Sequence, residues 1–199
     1  MFFNKTPIEE YRDFVRFLAE TKDTRIFLNS DEDHALEVLV QLFKTSQNTI
    51  RIFAGRLYEH IGNKPEYIEA LSDFVERNGH VYILLNRFEF EGAQKSNLFR
   101  RLSYYASEYS ETDERVVVKT TTDEPVMNID EKTKKQIHFT IADTIAYRIE
   151  TDLEKRTAMC SMNDTQTAKM AADFFDDLFN RDYAEKIDLK TLFEQNGAE

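Results

Sequence analysis

Residues 80–86, HVYILLN, form an almost wholly apolar run directly after Gly79. A strand buried on both faces of a parallel sheet has this composition, because neither side of its pleat meets water. Gly79 is the natural stop of a helix over residues 65–78, where Ile68, Leu71, Phe74 and Val75 fall at helical spacing. Upstream, TIRIFA (49–54) reads as a strand broken by Gly55. Downstream, Leu98, Phe99, Leu102, Tyr105 and Ala106 define a helix over 96–109, and RVVVKTT (115–121) is another strand. Strand and helix thus alternate, which predicts an α/β fold.

Outward from this centre, Ile8, Tyr11, Phe14, Val15, Phe17 and Leu18 predict an amphipathic helix over 7–21, with Thr6 as N-cap and Pro7 in the first turn. A short strand follows at 25–29. Ser30 and Asp33 then form a capping arrangement for a helix through residue 46, whose Ala35, Leu36, Val38, Leu39, Val40, Leu42 and Phe43 exceed one stripe and predict burial on more than one side. Residues 122–136 are polar and aperiodic and read as a loop. Alternating strands at 137–142 and 145–151, joined around Asp143 and Thr144, precede a turn at 152–155 and a strand at 156–161. A helix over 165–180 and a short terminal helix or tail over 183–199 complete the reading. The expectation is one domain over 1–199, with its core at 32–181, an N-terminal helical segment at 1–24, and a mixed sheet with helices on both faces.

The 199 residues are 41% hydrophobic, enough for a globular chain of this length to bury roughly 70% of its unfolded surface without disulfide or metal. Cys160 is the only cysteine, so neither a disulfide nor a cysteine metal cluster is expected, and a reducing cytoplasm is the expected location. Residues 1–5 lack the marks of a signal peptide, and no apolar run approaches the roughly 18 residues of a membrane span. The net charge of −11 disfavours nucleic acid at long range unless a local basic patch exists. Arg100 with Arg101, and Lys132 with Lys134 and Lys135, are the small candidates; solvated surface charge is the favoured reading of both.

The succession ALEVLVQLFKTSQ, TIRIFAG, YIEALSDFVERNG and HVYILLN, followed by a hairpin opening at His138 and by CSMND before a helix ending FFDDLF, resembles a phospholipase D-like domain over residues 32–181. The family signature is H-x-K with an Asp a few residues on and G-S-x-N downstream. Here His138 matches the histidine, Thr140 stands at the lysine position, and Asp143 comes two residues earlier than the usual spacing. Ser161 and Asn163 match the downstream pair, with Cys160 in place of glycine. The resemblance implies a histidine that attacks phosphorus, a lysine that neutralises nonbridging oxygens and an acid that supports the imidazole. With Thr140 offering only a neutral hydroxyl, it implies a catalytically degenerate binding or interaction module of a larger prokaryotic system. The alternative is a working phosphodiesterase or nuclease using His138, with Arg148 or one of the three lysines replacing the ammonium. The resemblance also implies a homodimer in which two such histidines meet; a protein partner is the other expectation.

Read without the resemblance, His138 is a hydrogen-bonded strand residue and Asp143 a turn former. Arg148 and Glu150, two apart, share one side of a strand and form either an ion pair or a polar site. A two-residue turn would set Arg148 opposite Phe139 and His138 opposite Ile149, whereas a bulge would reverse that. His34, His60 and His80 have no metal-ligand spacing, Cys160 reads as a small buried residue, and no glycine-rich phosphate loop is present, so no cofactor or metal is expected. Tyr11, Phe14, Phe17 and Leu18 read as core, with a partner surface as the alternative.

Overall fold

A computed structural model of the chain describes residues 5–110, 112–128, 134–152 and 157–196; Lys132, Arg156 and residues 153–155 of the expected turn lie outside this set. The chain runs α1 (Pro7–Glu20), β1 (Phe27–Asn29), α2 (Glu32–Thr45), β2 (Thr49–Ala54), α3 (Pro65–Glu76), β3 (His80–Leu85), α4 (Phe90–Gln94), α5 (Asn97–Glu108) and β4 (Val116–Thr120). It continues through β5 (Val126–Asn128), β6 (Lys134–Gln136), β7 (His138–Ala142), β8 (Ala146–Asp152), β9 (Thr157–Ser161), α6 (Thr165–Phe179) and β10 (Glu185–Lys186). Single 3-10 turns lie at His60–Asn63 and Thr191–Asn196.

Eight strands form one mixed sheet in the order β1-β9-β8-β7-β2-β3-β4-β10. Strands β2, β3 and β4 are parallel, and every other pairing is antiparallel. The parallel trio needs crossovers, supplied by α3 between β2 and β3 and by α4 and α5 between β3 and β4. The pleat divides the core. Ile50, Ile52, Val81, Ile83 and Val118 point to a first face packed with residues of α1, α2, α3 and α5. Phe53, Leu84, Val117, Phe139 and Ile149 point to a second face with Ala168, Ala172, Phe175 and Phe179 of α6. Arg51 fixes α6 there by donating from Nε and Nη2 to the two carboxylate oxygens of Asp176, at 2.7 and 2.9 Å.

The two-sided pattern of α2 corresponds to burial of Ala35, Leu36, Val38, Leu39, Leu42 and Phe43. Its cap differs from expectation: Asp31, not Ser30, accepts the His34 N–H, at 2.8 Å. Residues 122–136 hold a separate two-stranded ladder, β5 with β6, where a loop was expected. Three-residue strands with a mainly polar composition leave no periodicity to read. The terminal segment forms the edge strand β10 and a 3-10 turn rather than an α-helix, with the Asp188 carboxylate accepting the Lys190 N–H at 3.0 Å. Among the described residues, no helix is long and apolar enough to cross a membrane.

Candidate functional site

In open α/β sheets, ligands settle outside the carboxyl ends of parallel strands. Here β2 ends at Ala54 and β3 at Leu85, while the antiparallel β7 begins at the same end with His138. A cleft of about 350 Å³ opens at this point. Its floor is polar sheet: His138, Thr140, Arg148 and Glu150. Arg56 and His60 come from the segment after β2, Arg87 from the residues after β3, and Tyr67 from α3.

The register of the β7–β8 hairpin assembles the floor. His138 pairs with Glu150, Thr140 with Arg148, and Ala142 with Ala146. Three residues, Asp143 to Ile145, therefore form the connection, and Asp143 adopts a left-handed φ of 52°. Of the two registers the sequence left open, this one puts all four polar side chains on the first face.

Thr140, Arg148 and Glu150 are buried. Glu150 bridges the floor, with Oε2 3.6 Å from His138 Nδ1 and Oε1 accepting from Arg148 Nη2 at 3.4 Å. Arg148 Nε donates to Asn29 Oδ1 at 3.0 Å, and the Cys160 thiol donates to the same oxygen at 3.4 Å. Burial pushes the Cys160 thiol up to about 12, against the opposing charge of Arg148, so it stays protonated and is no nucleophile at neutral pH. Burial likewise raises the Tyr67 hydroxyl, which also senses Arg148. His138 Nε2 is buried, without a hydrogen-bond partner among the described residues.

The wall is held by unusual backbone. Leu57 and His60 adopt φ of 57° and 52°. Gly62 is required, since a Cβ there would lie 1.9 Å from the Leu57 carbonyl oxygen. Arg56 is bound to Glu89 at 2.8 Å and Glu59 at 3.4 Å. The exposed Arg87 guanidinium has no acceptor among the described residues. Carboxylates thus hold Arg56 and Arg148, and Arg87 is the lining arginine with no such partner among the described residues.

The other motif residues lie elsewhere. The Asp143 carboxylate accepts the backbone N–H groups of Gln47, Asn48 and Thr49 at 2.9, 2.9 and 2.8 Å, at the opposite end of β7 from His138. Ser161 pairs with Tyr147, whose side chain belongs to the second face, so Ser161 is turned away from the cleft. Asn163 donates from Nδ2 to the Lys22 carbonyl at 2.6 Å. The geometry thus joins His138, Thr140, Arg148 and Glu150, and leaves Asp143, Ser161 and Asn163 outside. Arg56, His60, Tyr67 and Arg87 were not singled out from the sequence. The positions of Arg56 and Arg87, just past two parallel strands, were the available signal.

No protein-family model and no curated protein sequence matches the chain. Solved structures do. Nuc of Salmonella typhimurium, a phospholipase D family member, superimposes with a TM-score of 0.54 at 12% identity, covering 83% of this chain and 97% of that one. NucT of Helicobacter pylori gives 0.53 at 12% identity, covering 83% and 100%. TrmBL2, an archaeal chromatin protein described with a novel mode of DNA binding, gives 0.51 at 14% identity, covering 90% of this chain and 61% of that one. At such identities the likeness establishes architecture: this chain has the phospholipase D-like fold.

Proposed function

We propose that this phospholipase D-like chain is a catalytically degenerate binding module, which holds an anionic group of a partner in its cleft without cleaving it and serves within a larger prokaryotic system. Thr140 carries the reading. Where the resemblance calls for an ammonium, a neutral hydroxyl faces Arg148, and Arg148 is already engaged by Glu150 and Asn29. Loss of a single oxyanion donor typically costs about 100- to 1000-fold in rate, and this donor would have been charged. The free cation that remains in the cleft, among the described residues, suits binding better: Arg87 is exposed beside the cleft, where it meets an entering anion without having first to be buried. The net charge of −11 favours a protein partner with a phosphate or carboxylate over a nucleic acid. The DNA binding of TrmBL2 makes DNA the second ligand to test.

A working phosphodiesterase is the second reading, and one observation favours it. With Nδ1 beside Glu150, His138 Nε2 makes no hydrogen bond among the described residues, and attack at phosphorus would require a substrate or a side-chain rotation to uncover this buried nitrogen. Turnover of bis-nitrophenyl phosphate, single-stranded DNA and duplex DNA separates the two, with and without added metal. No turnover is expected. Turnover abolished by His138→Ala would refute the binding-module reading and establish the second. Thr140→Lys is the companion: weak activity gained by that change would show that the missing ammonium is what silences the cleft.

A further inference from the structure

Among the described residues, strand β1 is one edge of the eight-stranded sheet and pairs with β9 alone. Edge strands are usually blunted by shortness, a charge, a proline or a bulge, because an open row of peptide groups invites another strand, and β1 relies on its three-residue length alone. Residues 26–30, IFLNS, contain neither charge nor proline. Their apolar side chains are also exposed: Leu28 is 73% and Ile26 56% accessible.

The exposure ends a continuous apolar row. Along the ladder Phe53 pairs with Phe139, Phe139 with Ile149, Ile149 with Met159 and Met159 with Leu28. The row lies on the second face, where α6 covers Phe139 through Phe174 and Phe175. Toward the edge the cover stops, and accessibility rises from 4% at Ile149 to 73% at Leu28.

We propose that β1 adds in antiparallel fashion to β1 of a second copy of this chain, joining the two sheets across a twofold axis at Leu28. The sequence is complementary to itself in this register. Leu28 faces the second copy's Leu28, so the two apolar rows become one. Arg25 and Asp31 stand three residues before and after Leu28, so each Arg25 comes opposite the second copy's Asp31, twice per dimer. Arg25 now pairs with Asp23, and Asp31 with His34 at 2.6 Å, both at the surface and weak enough to exchange. Charge complementarity thus selects a second copy on a chain whose net charge of −11 otherwise repels itself. Seven interstrand steps of about 4.8 Å set the two His138 side chains roughly 34 Å apart. The pairing therefore differs from one in which histidines meet, and it does not depend on what the cleft binds.

Sedimentation velocity of the full chain over a concentration series tests the pairing, together with two variants at this exposed position. The native chain is expected to dimerise, and Leu28→Lys to weaken the dimer by at least about tenfold, since the charge enters the joint twice. Leu28→Cys is expected to form a disulfide-linked dimer under mild oxidation, because facing residues in an antiparallel ladder lie about 4.5–5.5 Å apart at Cα, within disulfide reach. A monomer throughout the series overturns the proposal and leaves the edge to some other strand. A native dimer without the Leu28→Cys cross-link also overturns it, placing the interface on another surface. That second readout holds even if Leu28→Lys does not fold.

Discussion

Asp143 separates a structural carboxylate from a catalytic one, and removing it has a calculable cost. Its side chain accepts three backbone N–H groups, from Gln47, Asn48 and Thr49, and so fastens the entry of β2 to the β7–β8 turn. Gln47 and Asn48 are exposed and regain water when the carboxylate is lost, so each contributes about 0.5 kcal/mol; the partly buried Thr49 N–H contributes about 1.5 kcal/mol. Alanine at a φ of 52° adds about 0.5–1 kcal/mol, because Asp tolerates the left-handed region better. Asp143→Ala should therefore cost about 3 kcal/mol. Asp143→Gly, which removes the strain but not the lost acceptor, should cost about 2.5 kcal/mol, and Asp143→Asn, keeping one acceptor oxygen, about 1 kcal/mol. For a chain of 199 residues the alanine variant corresponds to a fall in Tm of about 6–12 °C. Urea unfolding followed by circular dichroism measures all three. An alanine variant within about 1 kcal/mol of native, or a glycine variant as damaged as alanine, would refute this account.

Three further outcomes are expected. Leu39→Ala in α2 should cost about 2–5 kcal/mol, the range for large-to-small core changes, and an unmoved urea midpoint would show that α2 is peripheral. Glu150→Ala strips Arg148 of its carboxylate in a buried site and should destabilise by about 3 kcal/mol, whereas an effect below about 0.5 kcal/mol would mean that water reaches Arg148 freely. The Asp164 carboxylate, which caps α6, is held below its ordinary 3.8, chiefly by the Thr167 hydroxyl, with burial opposing. Its stabilisation is complete above that ordinary value and is lost as pH falls through the depressed one, so Asp164→Asn, which keeps a cap, should show a shallower loss of stability below about pH 4. Parallel slopes for native and variant would remove Asp164 from the acid response.

The alternation of strand and helix was readable because each element carries enough residues to show a period. HVYILLN is buried on both sides, with Val81, Ile83 and Leu85 on the first face and Leu84 on the second. Where elements shrink to two or three residues, as in β5, β6 and β10, sequence carries no period and the strands are made by their neighbours. The 3-10 turn at Thr191–Asn196 escaped for a related reason: Leu189 and Leu192 are buried, but their spacing of three suits either kind of helix.

The site was legible only in part, because a motif compares positions along the chain whereas the cleft is built across strands. By motif, His138 belongs with Asp143, Ser161 and Asn163. Across the ladder it belongs with Glu150, and Thr140 with Arg148. What decides between these is the register of one hairpin, and the apolar residues contained that answer. Phe139 and Ile141 alternate with His138, Thr140 and Ala142 on β7, as Tyr147 and Ile149 do with Ala146, Arg148 and Glu150 on β8, and both apolar sets must reach the same core under α6. Pairing Phe139 with Ile149 and Ile141 with Tyr147 satisfies both, and it demands three residues in the turn. A two-residue turn would have driven Arg148 and Glu150 in among Phe174, Phe175 and Phe179, where an ion costs several kcal/mol. The left-handed φ of Asp143 and its hold on three N–H groups are therefore how the chain accommodates the third turn residue. The carboxylate that the motif would place in the chemistry acts one step earlier, by setting the register that brings Glu150 to His138.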